Sequence, residues 1–444
     1  MQVECYYMDP LTGLPVDKSN PVSPSGPHGL GITSGIFLDN TYTPKGRLLA
    51  SADAILVRVQ RKSPHSSYWY DANCIFNVDS DVSSGAGFDA SFVYGDRDYL
   101  SFVTNSAAHQ SIPAYSQPAI ADVDYPGFTT ETSGHFRIQV VALWGCDRWW
   151  IRHNTGEIKG QHEDGGTQNG LSANNKLRFN QIFCPNNRSL YDYKYLRIQP
   201  YCKIPNAKKD TWQRNSWAYG NTNPHTSGTR AGYMKGGRAG GAEGDYVGTE
   251  TGHRFARRRP THVCDGVLPA DWPENNGVTS TELVNMKLEI VGIPHGAEGC
   301  ETWLFEPSTG SLIDEGDVPA TITLNTVIVT ALNSIVSPSG RPLSSYDAVF
   351  CHIEIQNNTY KHWMIWGEDE LTYRRHTGNR GRGTNAAVVD GDNSYFCVRS
   401  GNDGLYNGVN SGGGMYEPDG DSAGGLANNE PIRIRVYAFD TTND

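Results

Sequence analysis

The side chains of this chain most able to do chemistry are its carboxylates, aromatics, cysteines and arginines. Forty-eight Asp and Glu residues make paired acids easy to find. A glycosidase needs only two carboxyl groups held about 5–10 Å apart across a sugar, and Asp147, Glu306, Glu368 and Asp369 are candidates for such a pair. Among so many acids no pair stands out, so a glycan-degrading enzyme is the second alternative reading. The sequence has no His-Glu-x-x-His, no Gly-x-Ser-x-Gly, no phosphate-binding loop and no dinucleotide fingerprint, the patterns that mark zinc proteases, serine hydrolases and nucleotide enzymes. Its thirteen histidines are scattered. The expectation is a protein that is not an enzyme.

Two acidic stretches have the composition of hard-cation loops: Asp390-Gly391-Asp392-Asn393 and Asp419-Gly420-Asp421, with Asp79-Ser80-Asp81 a weaker case. Calcium takes six to eight oxygens, and each fragment supplies two or three. Aspartates capping their own turns are the favoured reading; calcium is kept as the one cofactor to test at Asp390, Asp392, Asp419 and Asp421. Aromatics follow one strand-like run in three places: Tyr68, Trp69 and Tyr70; Trp212 and Trp217; Trp363 and Trp366. Exposed, they would be sugar platforms; their alternation is that of a core strand, with a subunit interface as the intermediate case. Nine cysteines include no C-x-x-C, which disfavours zinc ribbons and redox motifs. Cys5, Cys146 and Cys300 recur at similar places and are candidates for cross-links between subunits, against the plainer reading of buried free thiols. Arg257, Arg258 and Arg259, beside Arg254, and the group Arg374, Arg375, Arg380 and Arg382 lie in loop-like sequence. They read as solvated loops or as interface patches that pair carboxylates.

What positions these groups is a threefold internal repeat. An apolar–aromatic run ends in Thr-Gly at Tyr6 to Gly13, Trp149 to Gly156 and Trp303 to Gly310. A turn closing on Arg47, Arg188 or Arg341 leads into an alternating run that starts at Asp53, Asp192 or Asp347. A closing run begins at Phe136, Met286 or Ile432. The blocks keep one order and recur about every 145–155 residues, dividing the chain into repeats 1–146, 147–299 and 300–444. Repetition of this kind reports a scaffold or binding surface more often than a catalytic centre.

Within each repeat the strand signal is strict alternation. Arg58 and Gln60 share one face while Val57 and Val59 share the other; Lys287 and Glu289 alternate with Leu288 and Ile290. Period two with one polar face predicts antiparallel sheets covered on one side, the polar face outward. Thr-Gly predicts a tight hairpin with left-handed glycine. No amphipathic helix exceeds two turns. The fold expected is all-β: three tandem antiparallel β-sandwiches of jelly-roll or Ig-like wiring, with long Gly/Asn-rich loops that functional or partner-bound segments favour. The linkers, 143–148 and 292–301, are short and imply fixed neighbours.

Composition agrees. The chain has 444 residues, 49 glycines, 23 tyrosines and 10 tryptophans, too aromatic for disorder. A net charge of -11 argues against a nucleic-acid groove. No run approaches a membrane span, and the N-terminal residues lack the basic and apolar regions of a signal peptide, so synthesis in a host cytoplasm is expected.

At the level of architecture, the whole chain resembles structural proteins of tailed-bacteriophage virions: capsid decoration proteins, tail components and fibres. The resemblance implies tandem β-sandwich modules, no leader, residence in the virion, and a role in stabilising or decorating the capsid or forming the tail or fibre. It also implies that the partners are other virion proteins and copies of the same chain. A carbohydrate-binding adhesin or receptor-binding protein that contacts a host-surface glycan is the first alternative.

Overall fold

The computed structural model describes residues 1–18, 28–29, 33–62, 69–71, 74–75, 88–95, 98–104, 133–152, 155–165, 167–169, 174–178, 182–203, 212–214, 229–236, 246–251, 283–314, 317, 319, 327–356, 362–368, 371–372, 383–390, 395–401 and 431–443. These form β-strands joined by turns and three-residue 3-10 turns, with no α-helix among the described residues.

The first repeat contributes β1 (Gln2–Met8), β2 (Pro15–Val16), β3 (His28–Gly29), β4 (Thr33–Phe37), β5 (Ala54–Lys62), β6 (Trp69–Asp71), β7 (Cys74–Ile75), β8 (Phe88–Tyr94), β9 (Tyr99–Thr104) and β10 (Ser133–Trp144). The second contributes β11 (Asp147–Arg152), β12 (Ile158–Lys159), β13 (Thr167–Asn169), β14 (Asn174–Arg178), β15 (Tyr193–Lys203), β16 (Trp212–Arg214), β17 (Thr229–Gly236), β18 (Tyr246–Thr251) and β19 (Leu283–Pro294). The third contributes β20 (Cys300–Phe305), β21 (Leu312–Ile313), β22 (Val327–Ala331), β23 (Ala348–Gln356), β24 (His362–Glu368), β25 (Leu371–Thr372), β26 (Gly383–Asp390), β27 (Tyr395–Gly401) and β28 (Ile432–Phe439).

All three repeats are wired alike. The closing strand lies between the first strand and the alternating strand: β1-β10-β5, β11-β19-β15 and β20-β28-β23. The Thr-Gly hairpin adds a short edge strand, and Gly13, Gly156 and Gly310 all take φ near +72°, the left-handed conformation the dipeptide predicts. The sheets then cross the repeat boundaries. One runs β2-β1-β10-β5-β6 and continues into β26-β27-β22 of repeat 3. The second runs β12-β11-β19-β15-β16 and continues into β8-β9-β4 of repeat 1; the third runs β21-β20-β28-β23-β24 and continues into β17-β18-β14 of repeat 2. Each repeat extends the sheet of the next, and the third extends that of the first. The result is a closed cycle of three sheets with pseudo-three-fold connectivity.

The strand that joins the neighbour also lies against its own repeat: β8 beside β5, β17 beside β15, β26 beside β23. In repeat 1 both layers fill one core, with Met8, Val57, Val59, Ile138 and Val140 from the first layer against Phe92, Leu100 and Phe102 from the second. A separate core lies where the repeats meet. It draws Val3, Leu56 and Leu143 from repeat 1, Tyr195, Val291 and Ile293 from repeat 2, and Phe350, Tyr437 and Phe439 from repeat 3.

This second core overturns the expectation of an outward polar face. Arg58, Gln60, Arg137, Gln139, Lys287, Glu289, Arg433 and Arg435 are all buried. They share their face with the central apolar residues, so the alternation separates a local core from an inter-repeat core. Burying such groups is tolerable only where they find partners. The Arg58 Nη1 donates to the Val349 carbonyl of repeat 3 at 2.9 Å. The Gln139 amide donates to Tyr7 Oη at 3.1 Å and to the Asp347 carbonyl at 3.3 Å.

Register corrects one equivalence. Ala54 pairs with Leu143 and Ala348 with Phe439, but Tyr195 takes the matching place opposite Ile293 because β15 carries an irregularity at Tyr193/Tyr195. Lys194, not Asp192, therefore stands where Asp53 and Asp347 stand. The clamp survives with reversed polarity. Asp53 and Asp347 carboxylates accept from the Gly145 and Thr441 amides, whereas the Lys194 ammonium donates to the Ala297 and Cys300 carbonyls.

Candidate functional site at the seams between repeats

Three of the tryptophans singled out by sequence occupy one structural position. Trp69 pairs with Asp390 of repeat 3, Trp212 with Tyr94 of repeat 1, and Trp363 with Lys235 of repeat 2. Each is on the edge strand that receives the neighbour's sheet. An edge strand presents unpaired N–H and C=O groups and invites pairing with another chain; here the neighbouring repeat satisfies it.

Two of these seams are described to the side-chain level, and both hold a cation between aromatic rings. In repeat 1, Arg137 Cζ lies 3.8 Å from the Tyr7 ring centroid and 4.3 Å from that of Trp69, while its Nε donates to Gln60 Oε1 at 2.8 Å. In repeat 2, Lys287 Nζ lies 3.9 Å from the Trp212 centroid and 4.5 Å from that of Trp150. Its ammonium also donates to the carbonyls of Gly160 at 3.3 Å, Glu163 at 3.4 Å and Gln161. A cation over an indole face gains most when water is excluded, and Lys287 is fully buried. Burial pushes its ammonium down to about 7, with Arg148 adding to the effect and Glu289 opposing it. Tyr7 and Trp150 come from the first strands, Arg137 and Lys287 from the closing strands, and Trp69 and Trp212 from the receiving strands. In repeat 3 the matching first-strand residue is Leu304, opposite Arg435, and Arg433 is buried at the cation position.

A second recurring group is the arginine that closes each turn. Arg47 Nε lies 3.5 Å from Glu4, Arg188 Nη1 lies 3.1 Å from Asp147, and Arg341 pairs with Asp440. Each also covers an aromatic ring: Trp144, Tyr193 and Tyr346. These clasps tie each turn to the junction between repeats.

The sequence candidates sort accordingly. Trp212 is 0% exposed and Trp69 5%, so neither ring offers a platform to a sugar; both pack where repeats meet. Tyr70 and Trp366 are placed on β6 and β24, while Trp217 and Arg257, Arg258 and Arg259 lie outside the described residues. Asp390 is a strand residue at a seam, and Asp392, Asp419 and Asp421 lie outside the described residues; among the described residues no cluster of three or more potential ligands could hold a metal ion. Two of the four carboxylates considered for catalysis hold structural partners. Asp147 accepts from Tyr193 Oη at 2.7 Å and faces Arg188. Glu306 accepts from Thr309 Oγ1 at 3.0 Å within its hairpin. Glu368 ends β24, and Asp369 lies outside the described residues.

Cross-linking to another subunit through the three recurrent cysteines does not fit the fold. Cys146 and Cys300 are buried, Cys5 is half-buried, and all three are free thiols in or against the central core. Burial pushes the Cys146 and Cys300 thiols up to about 12 and raises Cys5 as well. Only Cys146 and Cys300 are equivalent by register. Val3 occupies the third place, and Cys5 lies two residues further along β1. Sequence reasoning missed Lys287 and Arg137 as seam cations. The available signal was their shared place in the closing blocks, immediately after Phe136 and Met286.

No family model, curated protein or solved structure matches the chain. No helix among the described residues is long and apolar enough to cross a membrane.

Proposed function

We propose that the chain is a non-catalytic structural component of a viral particle, of the tailed-bacteriophage type, built as a single-chain pseudo-trimer of three β-sandwich repeats. The observation that carries this reading is the closed cycle of sheets. Each repeat completes the edge of the next, so the three act as one rigid body with the approximate symmetry of a three-fold lattice position. A catalytic site gains nothing from three copies of one module, whereas a protein that binds a symmetric lattice gains three reinforcing contacts from one chain. The chain would be made in the host cytoplasm and join the virion as a capsid decoration, tail or fibre subunit, in contact with other virion proteins and copies of itself. Burial of Trp69 and Trp212 counts against the aromatic-platform adhesin.

The test is to purify particles from lysates of cells carrying this gene and to quantify the chain against the major shell protein. A fixed stoichiometry that survives density-gradient centrifugation supports the reading. A chain found wholly in the soluble fraction and absent from the particles overturns it.

A further inference from the structure

Among the described residues, six large apolar side chains are exposed, and five of them fall at two positions that recur between repeats. Ile158 and Leu312 open the strand after the Thr-Gly turn, opposite Ile151 and Phe305. Pro15, also exposed, holds that place in repeat 1 opposite Met8, with Leu14 just before it. Tyr42, Phe183 and Val336 stand five residues before the arginine that closes each second turn. Exposure of the six ranges from 39% for Val336 to 61% for Leu14 and Phe183. Isolated exposed apolar residues need no explanation. Apolar residues exposed at the same two places in three repeats of otherwise divergent sequence do.

The two positions of each repeat are neighbours. The Phe183 amide donates to the Gly156 carbonyl at 3.1 Å. A Cβ on Gly310 would lie 3.3 Å from Ile335, next to Val336, and one on Gly13 would lie 3.6 Å from Thr41, next to Tyr42. The hairpins are also anchored. Thr330 Oγ1 donates to the Pro307 carbonyl at 3.0 Å, and Ser34 Oγ makes the equivalent bond to Pro10. Each repeat thus holds an apolar pair on a fixed support, which lowers the ordering cost of binding. Acids outnumber bases around each pair: exposed Asp17 and Asp39 beside Lys18; Glu157, Glu163 and Asp164 beside Arg152 and Lys159, which both pair with Glu157; and Asp314 and Asp317.

We infer that these three pairs form one three-point docking surface for a three-fold-symmetric protein surface whose apolar sockets are rimmed by basic side chains. Resting on the function proposed above, that surface is the three-fold position of the particle's shell. Two considerations select this occupant. Points related by a three-fold axis lie in one plane perpendicular to it, so a coaxial partner meets all three together. One pair falls far short of the ~800 Å² per partner that a specific interface buries, so the pairs must act jointly. Charge decides the rest. A second copy docked patch to patch would oppose two rims of net negative charge, and an anionic membrane would be repelled, whereas a basic rim is attracted.

The experiment uses the full chain and shells purified from particles made without this gene, with binding measured by co-sedimentation. Wild type is expected to bind saturably, and more weakly at high salt. Pro15→Asp, Ile158→Asp and Leu312→Asp are each expected to lower affinity about 10-fold, and the triple variant to lose binding while keeping its mass and circular dichroism. Wild type that fails to bind overturns the proposed function together with this inference. Wild type that binds while the triple variant binds equally well overturns the inference alone. So does a loss confined to one of the three sites, since a three-point contact must feel each.

Discussion

At the scale of single residues, the seam cations decide how the repeats hold together. Lys287 sits between two indoles and three carbonyls with no access to water, and burial brings its ammonium down to about 7. An unfolded lysine titrates near 10.4. Between these values the unfolded chain holds a proton that the folded chain has released, so stability rises with pH across that window and is flat below it. Urea unfolding at pH 6, 7.5 and 9, for wild type and Lys287→Met, isolates the contribution. Wild type is expected to gain on the variant as pH rises from 7.5 to 9. An unchanged difference would mean that the carbonyls and indoles keep the ammonium charged. The cysteines give a second residue-level expectation. With thiols pushed up to about 12 and buried, Cys146 and Cys300 carry almost no thiolate at pH 8. Iodoacetamide followed by peptide mass spectrometry should leave both unmodified in the folded chain and modify both in denaturant. Rapid labelling of either in the folded chain would contradict its place in the central core.

At the scale of elements, the repeats differ where one strand is irregular. Ala142 and Ala438 stand at one position of β10 and β28, but β19 has Gly292 there. The reason is Tyr193, which the irregularity of β15 folds over that glycine. A Cβ on Gly292 would come within 2.5 Å of the Tyr193 ring. Gly292→Ala, the residue the other two repeats carry, is therefore expected to destabilise by about 1–3 kcal/mol, read as a lower urea midpoint. Combining it with Tyr193→Ala should recover part of the clash at the cost of the Tyr193–Asp147 hydrogen bond. The same strands show what sequence could convey. The Thr-Gly hairpins, the closing strands and the two faces of β5 and β10 were legible because turn chemistry and period-two alternation are local. What covers each face was not. Arg58 and Gln139 are polar, and alternation alone reports that two faces differ without saying that the polar one lies against another repeat. The seams were illegible for a related reason. Trp69 finds Asp390, a partner on a distant repeat that no local pattern specifies.

At the scale of the whole molecule, the cycle of sheets makes the position of the chain ends almost incidental. The tail after β28 lies along β1: the Val3 amide donates to Thr442 Oγ1 at 3.0 Å, the Thr442 amide to the Val3 carbonyl at 3.0 Å, and Lys45 reaches the Thr442 carbonyl. The two ends thus meet at the same kind of place where Gly145 joins repeats 1 and 2 and Gly299 joins repeats 2 and 3. A circular permutant that starts at Gly145, ends at Trp144 and joins the C-terminus to Met1 through a short Gly/Ser linker breaks only the exposed turn at Gly145. Exposed turns at the surface are where such rearrangements succeed. It is expected to fold with a Tm within a few degrees of the original and to unfold in one cooperative transition, because no sheet belongs to a single repeat. A chain cut back to residues 1–299 keeps two repeats but loses β26, the partner of β6, and β24, the partner of β17. Two sheet edges, the receiving β6 and the donated β17, and much of the central core then stand open, and aggregation is the expected result. If the two-repeat chain instead proved monomeric and stable, the repeats would be independent modules, and the closed cycle would not be what holds the molecule together.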